Sequence, residues 1–261
     1  MYTTLVLEYD GEIAYLTLNR PDKRNAISSA MITELQSALD AIEKTHTRVV
    51  IMTGAGSAFC AGADLDMLAA IAQQSASENQ DDSRRIAKLF RRIWSFPRPM
   101  IAAVNGPAYA GGCGIATLCD FTLASTEARF GYTEVKIGFI PAIVSVFLTR
   151  QVGQKRSRDL LLTGRILEPE EAKQFGLVTE VVPAERLAAR ARELAAQIIS
   201  ASPSSVTRAK HLLICSETVG VDHDLERAIL ENARIRCTAD FKEGVASFLE
   251  KRKPVWQDKP H

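Results

Sequence analysis

Long apolar runs are missing from this sequence: nothing in its 261 residues approaches the ~18 consecutive apolar positions of a membrane-spanning helix. The first residues, Met1 to Gly11, also lack a basic region followed by an apolar block, so no export signal is read there. A net charge of one sign is equally missing. Thirty-two Lys and Arg stand against thirty-one Asp and Glu, giving +1, which offers no general field for nucleic acid or an anionic membrane. Any anionic ligand must be held locally. Histidine is scarce, with four scattered positions (46, 211, 223 and 261), and the five cysteines (60, 113, 119, 215 and 237) form an odd set without tight spacing. Neither a disulfide framework nor a metal site is suggested, and buried reduced thiols in a cytoplasmic compartment are the expectation.

What is present is an ordinary globular composition, 46% hydrophobic and 24% charged, with room for one core of about domain size. Leu5 to Tyr9 and Ile13 to Leu18 are β-prone runs joined through Asp10-Gly11, a good hairpin turn. Ser28 or Ser29 caps a helix whose apolar face carries Met31, Ile32, Leu35, Leu39 and Ile42, and Val49 to Met52 returns as a buried strand. Residues 73–83 are polar enough to predict a mobile loop or frayed helix. Ile86, Leu89, Phe90 and Ile93 then recur with helical spacing until Phe96-Pro97-Arg98-Pro99 stops them. After about residue 185 the pattern is mostly helical, near 185–199, 204–217, 222–236 and 241–252. A β/α core over 1–200 followed by a helical region over 201–261 is the expected division.

Two glycine-rich turns carry the chemistry. Gly106-Pro-Ala-Tyr-Ala-Gly-Gly-Cys-Gly114 follows the apolar run Met100 to Val104, and Gly54-Ala-Gly-Ser-Ala-Phe-Cys-Ala-Gly-Ala-Asp64 follows Val49 to Met52. A strand that breaks into glycines before a helix presents bare backbone N–H groups. Two such strand ends can offer two amides to one oxygen, and preorganised donors of this kind stabilise an oxyanion by roughly 3 to 4 kcal/mol each. A dinucleotide site is disfavoured, because Phe59 stands where Gly-x-Gly-x-x-Gly needs its third glycine. A serine or cysteine acyl-transfer enzyme is disfavoured too, since Gly-x-Ser-x-Gly is absent and neither Cys60 nor Cys113 has a local histidine partner.

Leu18-Asn-Arg-Pro-Asp-Lys-Arg-Asn-Ala-Ile27, Ala58-Phe-Cys-Ala-Gly-Ala-Asp64, Asn105-Gly-Pro-Ala-Tyr-Ala-Gly-Gly-Cys113 and Phe130-Gly-Tyr-Thr-Glu134 together resemble the enoyl-CoA hydratase/isomerase (crotonase) superfamily. The match continues through Leu162-Thr-Gly, Gly176-Leu-Val and Phe248 to Lys253, nearly the whole chain. The resemblance implies an α/β fold, a ClpP/crotonase-like ββα spiral with a helical C-terminal region that trimerises, as a homotrimer or a dimer of trimers. It implies an acyl-CoA substrate, with coenzyme A entering as part of that substrate and no separate cofactor or metal. By position, the oxyanion amides fall on Ala63 and Gly111. CoA would run past Ala61, Asp64 and Leu65, with Lys23 or Arg24 near its phosphates, and Phe248 and Lys251 match positions that reach a CoA site in relatives, often from a neighbouring subunit.

The acid–base groups depart from that pattern. Two-glutamate hydratases carry one Glu just after the second glycine turn and another twenty positions on, and here those positions are Gly114 and Glu134. Glu134 is the natural general acid/base, its pKa expected to rise on enclosure. The local text, from Tyr109 to Ile115 and from Thr133 to Ser145, resembles bacterial methylglutaconyl-CoA hydratases of leucine breakdown, which often carry Gly at the first position as well. The expected activity is therefore hydration or dehydration of a short or branched 2-enoyl-CoA, with a distal carboxylate on the acyl chain meeting Lys136. The alternatives are a one-glutamate enoyl-CoA isomerase and a catalytically weak acyl-CoA or acyl-carrier binding protein.

Overall fold

The computed structural model describes residues 2–71, 73–217 and 220–256. The chain opens as a hairpin, β1 (Leu5–Asp10) and β2 (Ile13–Leu18), with Gly11 at φ 56° in the turn. Then follow α1 (Ser29–Glu43), β3 (Val49–Gly54), α2 (Leu65–Ile71), α3 (Ala76–Trp94), β4 (Met100–Val104), β5 (Pro107–Tyr109), α4 (Gly111–Leu118), β6 (Phe121–Ser125) and β7 (Arg129–Gly131). After a 3₁₀ turn over Glu134–Ile137 come α5 (Ala142–Thr163), broken at Gly153, then β8 (Ile166–Leu167), α6 (Pro169–Phe175) and β9 (Glu180–Val182). The helices α7 (Leu187–Ile199), α8 (Pro203–Glu217), α9 (Val221–Ile235) and α10 (Ala239–Leu249) complete it.

Six strands form one sheet in the order β1-β2-β3-β4-β6-β9, antiparallel only at the β1–β2 hairpin. Parallel neighbours need crossover connections, which lay helices over the sheet and bury both of its faces. The strands read accordingly: Met100 to Val104 is buried throughout. Alternate residues feed two cores. Val49, Ile51, Ile101 and Leu123 pack with Ala191 and Ala195 of α7, whereas Val50, Met52, Ala102 and Val104 join the larger core with α1 and α3. The five apolar residues of α1 expected to face inward are all buried, each contributing roughly 1.5–3 kcal/mol. Ser28 is the cap, accepting from the Met31 N–H at 3.2 Å.

Of the two readings for residues 73–83, a mobile loop or a frayed helix, the structure gives a helix from Ala76 onward, with a capped rather than frayed start. Ser75 and Glu78 form a reciprocal capping box that fixes the start of α3, and its first turns bury Asn79, Asp82 and Ser83 against the C-terminal helices. Composition misled here because these polar side chains are satisfied by one another across a tertiary contact with α9. A second sheet, β5-β7-β8, went unread in the sequence because its strands are two or three residues long. No helix among the described residues is long and apolar enough to cross a membrane.

Candidate active site

The short sheet is what assembles the site. The first glycine turn is stitched to β5 by an isolated parallel bridge, Cys60 to Ala108, with Tyr109 N–H donating to Cys60 O at 2.9 Å. On its other side the turn pairs with the segment after β2. Ile27 N–H donates to Gly62 O at 2.7 Å and Asp64 N–H donates to Ile27 O at 2.9 Å. These two bonds straddle Ala63 and leave its N–H unused among the hydrogen bonds of the described residues. Asn25 Nδ2 reinforces the turn through Ala55 O and Ala58 O, at 2.9 and 2.8 Å. The Leu18 to Ile27 motif is therefore a brace for the first turn.

The second turn is set by Ala110, whose φ of 50° and ψ of −126° swing the chain out of β5 into α4. Its N–H is held by Gly131 O of β7 at 2.7 Å. Gly111 opens α4, so its N–H has no intrahelical acceptor and lies at the positive end of the helix dipole. Two glycines are required by the fit between the turns. Gly62 sits at φ +95° with Ala110 Cβ 3.0 Å from where its own Cβ would be, and a Cβ on Gly112 would lie 2.7 Å from Cys60 Sγ.

Ala63, Gly111 and Glu134 all line one cavity of about 430 Å³, walled by apolar side chains that include Leu89, Phe90, Ile143 and Val144. Glu134 comes from the 3₁₀ turn after β7 and is only 7% exposed. Burial pushes its carboxyl up to about 7, against a hydrogen bond from its own backbone N–H. Its Oε2 has no hydrogen-bond partner. The thiols nearby are not nucleophiles: burial raises Cys60 and Cys113 to about 12. Helix α10 closes the site from outside, packing Phe241 and Val245 on α2 and on Ile137 and Phe139.

The family model for enoyl-CoA hydratase/isomerase matches residues 8–259. The chain belongs to that family. A Thermus thermophilus protein provisionally named an enoyl-CoA hydratase is 45% identical over 94% of this chain and 97% of its own. The 2,3-dehydroadipyl-CoA hydratase of Escherichia coli is 34% identical over 96% of this chain and 97% of its own. Among solved structures, an enoyl-CoA hydratase/isomerase from Xanthobacter autotrophicus Py2 superposes with a TM-score of 0.89 at 31% identity, covering 97% of this chain and 98% of that one. The α/β crotonase fold follows, with its C-terminal helical region, and the chain is an enzyme of the hydratase/lyase class.

Of the other family positions singled out in the sequence, Ala61 and Phe248 line the cavity, and Lys136 does so with its side chain exposed. Lys23, Arg24 and Lys251 are exposed and lie off the cavity wall. Leu65 opens α2, and its side chain lies outside the described set. Asp64 is 4% exposed and paired to Arg20 at 2.6 Å. Burial raises its pKa, but the Arg20 partner and the Asp66 N–H outweigh that and hold it below the ordinary value. Gly114 faces the cavity-wall residues Phe90 and Val144, which fill the space beside it. Sequence reasoning missed Asn232 and Arg236, which also line the cavity. They sit one helical turn apart at the end of α9, and only that i, i+4 spacing hinted that they share a face.

Proposed function

We propose that this enzyme adds water across the C2–C3 double bond of a short or branched 2-enoyl-CoA, and removes it in reverse, with Glu134 as the one acid–base group. The observation that carries this reading is a single buried carboxylate, unpaired at Oε2, on the wall of an apolar cavity that also holds the Ala63 and Gly111 amides. The thioester oxygen accepts from those two N–H groups. Glu134, ionised, takes a proton from water as the water oxygen bonds to C3, and the C2–C3 π electrons move to the thioester oxygen as an enolate. The enolate collapses as Glu134 returns that proton to C2. One group thus serves both steps, no proton is left over, and neither a metal nor a redox cofactor is needed.

The CoA portion passes the first turn at Ala61, Asp64 and Leu65, with exposed Lys23 and Arg24 toward its phosphates and Phe248 and Lys251 near the mouth. The pairing of Asp64 with Arg20 makes its contribution one of backbone and turn shape. A 3-methylglutaconyl-type chain is among the substrates proposed. Assembly as a homotrimer or dimer of trimers through the C-terminal helices is proposed with it, supported by Leu212 and Leu213 of α8, 68% and 64% exposed; mass measurement by light scattering tests it.

A second reading, double-bond migration, is favoured by the same lone carboxylate, since moving a proton from one carbon to another needs only one base. Incubation with crotonyl-CoA, 3-methylglutaconyl-CoA and a 3-enoyl-CoA in heavy water separates them. Gain of one water on the 2-enoyl thioesters, lost in Glu134→Gln, supports hydration; deuterium uptake with no added water supports migration; no turnover of any thioester favours a binding protein.

A further inference from the structure

Beside the Ala63 amide stands an ion pair that the proposed chemistry does not use. Asp64, the next residue, is 4% exposed and caps α2, its Oδ1 accepting from the Asp66 N–H at 3.0 Å. Its Oδ2 accepts from Arg20 Nη1 at 2.6 Å. The same nitrogen donates to Ala26 O at 2.7 Å, so one guanidinium spans the segment that braces the first turn and the residue that follows the oxyanion donor. Arg20 is in turn fixed through its backbone. Its N–H donates to Asn25 Oδ1 at 2.8 Å, and its carbonyl accepts from the Asn25 N–H at 2.9 Å. Arg24 and Asn25 adopt left-handed backbone, at φ 48° and 55°, to close this loop.

A carboxylate in this place works against the oxyanion. Consecutive Cα atoms are only about 3.8 Å apart, so a bare charge on Asp64 would be felt at the Ala63 N–H, inside the ~8 Å over which salt screens. Burial of Asp64 keeps away the water that would weaken the repulsion. Arg20 cancels that charge at hydrogen-bond distance, whereas Lys23, the other cation acting on Asp64, does so only through space. Neither Arg20 nor Asp64 lines the cavity that holds Ala63, Gly111 and Glu134.

We propose that Arg20 is a positioning residue of the oxyanion site: by cancelling the charge of Asp64 it lets that carboxylate cap α2 behind the Ala63 N–H without repelling the enolate. Arg20 acts through Asp64 and touches none of the reacting atoms. The inference rests on the acyl-CoA reading of the cavity and makes no use of the addition of water.

Acetoacetyl-CoA tests this without turnover, since its enolate is a preformed oxyanion with its own ultraviolet absorption. The quantity read is the ratio of enolate to neutral thioester bound at one fixed pH. Arg20→Met, which leaves Asp64 bare, should lower that ratio by about 10-fold or more, while the neutral thioester still binds within about 3-fold of wild type. Asp64→Asn leaves the guanidinium unmatched and should raise the ratio above wild type. The double variant carries neither charge and should return it to within about 3-fold of wild type, and Arg20→Lys, which keeps the charge, should do the same. A pair that served structure alone would move all the variants in one direction, with the double variant the worst, and that result overturns the proposal. An unchanged ratio in every variant overturns it too. Where Arg20→Met does not fold, the sign of the change in Asp64→Asn decides, because a fall below wild type overturns the proposal. Failure of the wild type to bind acetoacetyl-CoA would overturn the acyl-CoA reading together with this role. The expected order of ratios in a protein that hydrates no enoyl-CoA would support the role of Arg20 and count against the hydratase reading alone.

Discussion

Val144 Cγ1 lies 2.5 Å from the point at which a Cβ on Gly114 would sit, and Phe90 Cε2 lies 2.9 Å from it. The missing first glutamate is thus not a gap waiting for a carboxylate; apolar side chains occupy its place. Gly114→Glu should therefore fail to create a two-glutamate hydratase. Overpacking of this kind costs about 1–3 kcal/mol, so the expected result is a lower midpoint in urea denaturation and no gain in kcat. A rise in hydration rate with unchanged stability would show that Phe90 and Val144 yield readily.

The proposed role of Glu134 predicts a link between activity and pH. In that mechanism the free enzyme takes a proton from water with Glu134 ionised, so kcat/KM for hydration should fall on the acid side of about pH 7. The stability effect has a definite sign. A carboxyl whose pKa rises from 4.5 to about 7 on folding keeps its proton in the native state while the unfolded chain loses it. Stability therefore falls from about pH 4.5 to 7 and levels off above, by up to about 3 kcal/mol. Glu134→Gln should be more stable than wild type at pH 8 and no more stable at pH 4, by chemical denaturation at both values, while its kcat falls roughly 10²- to 10⁴-fold.

In the proposed site the aim of the Ala63 and Gly111 amides at one oxygen depends on how closely the two turns approach. Gly112→Ala places a methyl 2.7 Å from Cys60 Sγ, which must push the start of α4 away from the first turn. Losing one well-aimed oxyanion donor costs roughly 10²-fold in kcat or more, and that loss is expected in a protein that still unfolds cooperatively. Wild-type kcat in this variant would mean that Gly111 is not a donor.

The capping box at the start of α3 gives a prediction far from the chemistry. Ser75→Ala removes the side chain that accepts from the Glu78 N–H and should cost about 1 kcal/mol in urea denaturation. Kinetics on a neutral enoyl-CoA should be unaffected.

The sequence by itself determined a good deal. Period-two and period-3.6 patterns gave the hairpin, α1 and the terminal helices, because burial of one face dominates those elements. The two glycine turns and Glu134 stood out in the sequence because bare backbone donors and a lone acid call for particular residues at particular positions, and the structure brings Ala63, Gly111 and Glu134 to one cavity wall; Gly114 stood out as a departure from the two-glutamate pattern. Tertiary structure alone decided the rest. That residues 76–83 are helical depends on Asp82 and Ser83 finding Arg236 and Asn232 about 150 positions away, a partnership that composition cannot express. The closure of the Gly114 site by Val144 and Phe90, the strands β5 and β8, and the placing of a buried arginine in the same wall as Glu134 have one physical cause. Each is a contact between distant segments brought together by packing, and such contacts leave no periodic trace along the chain.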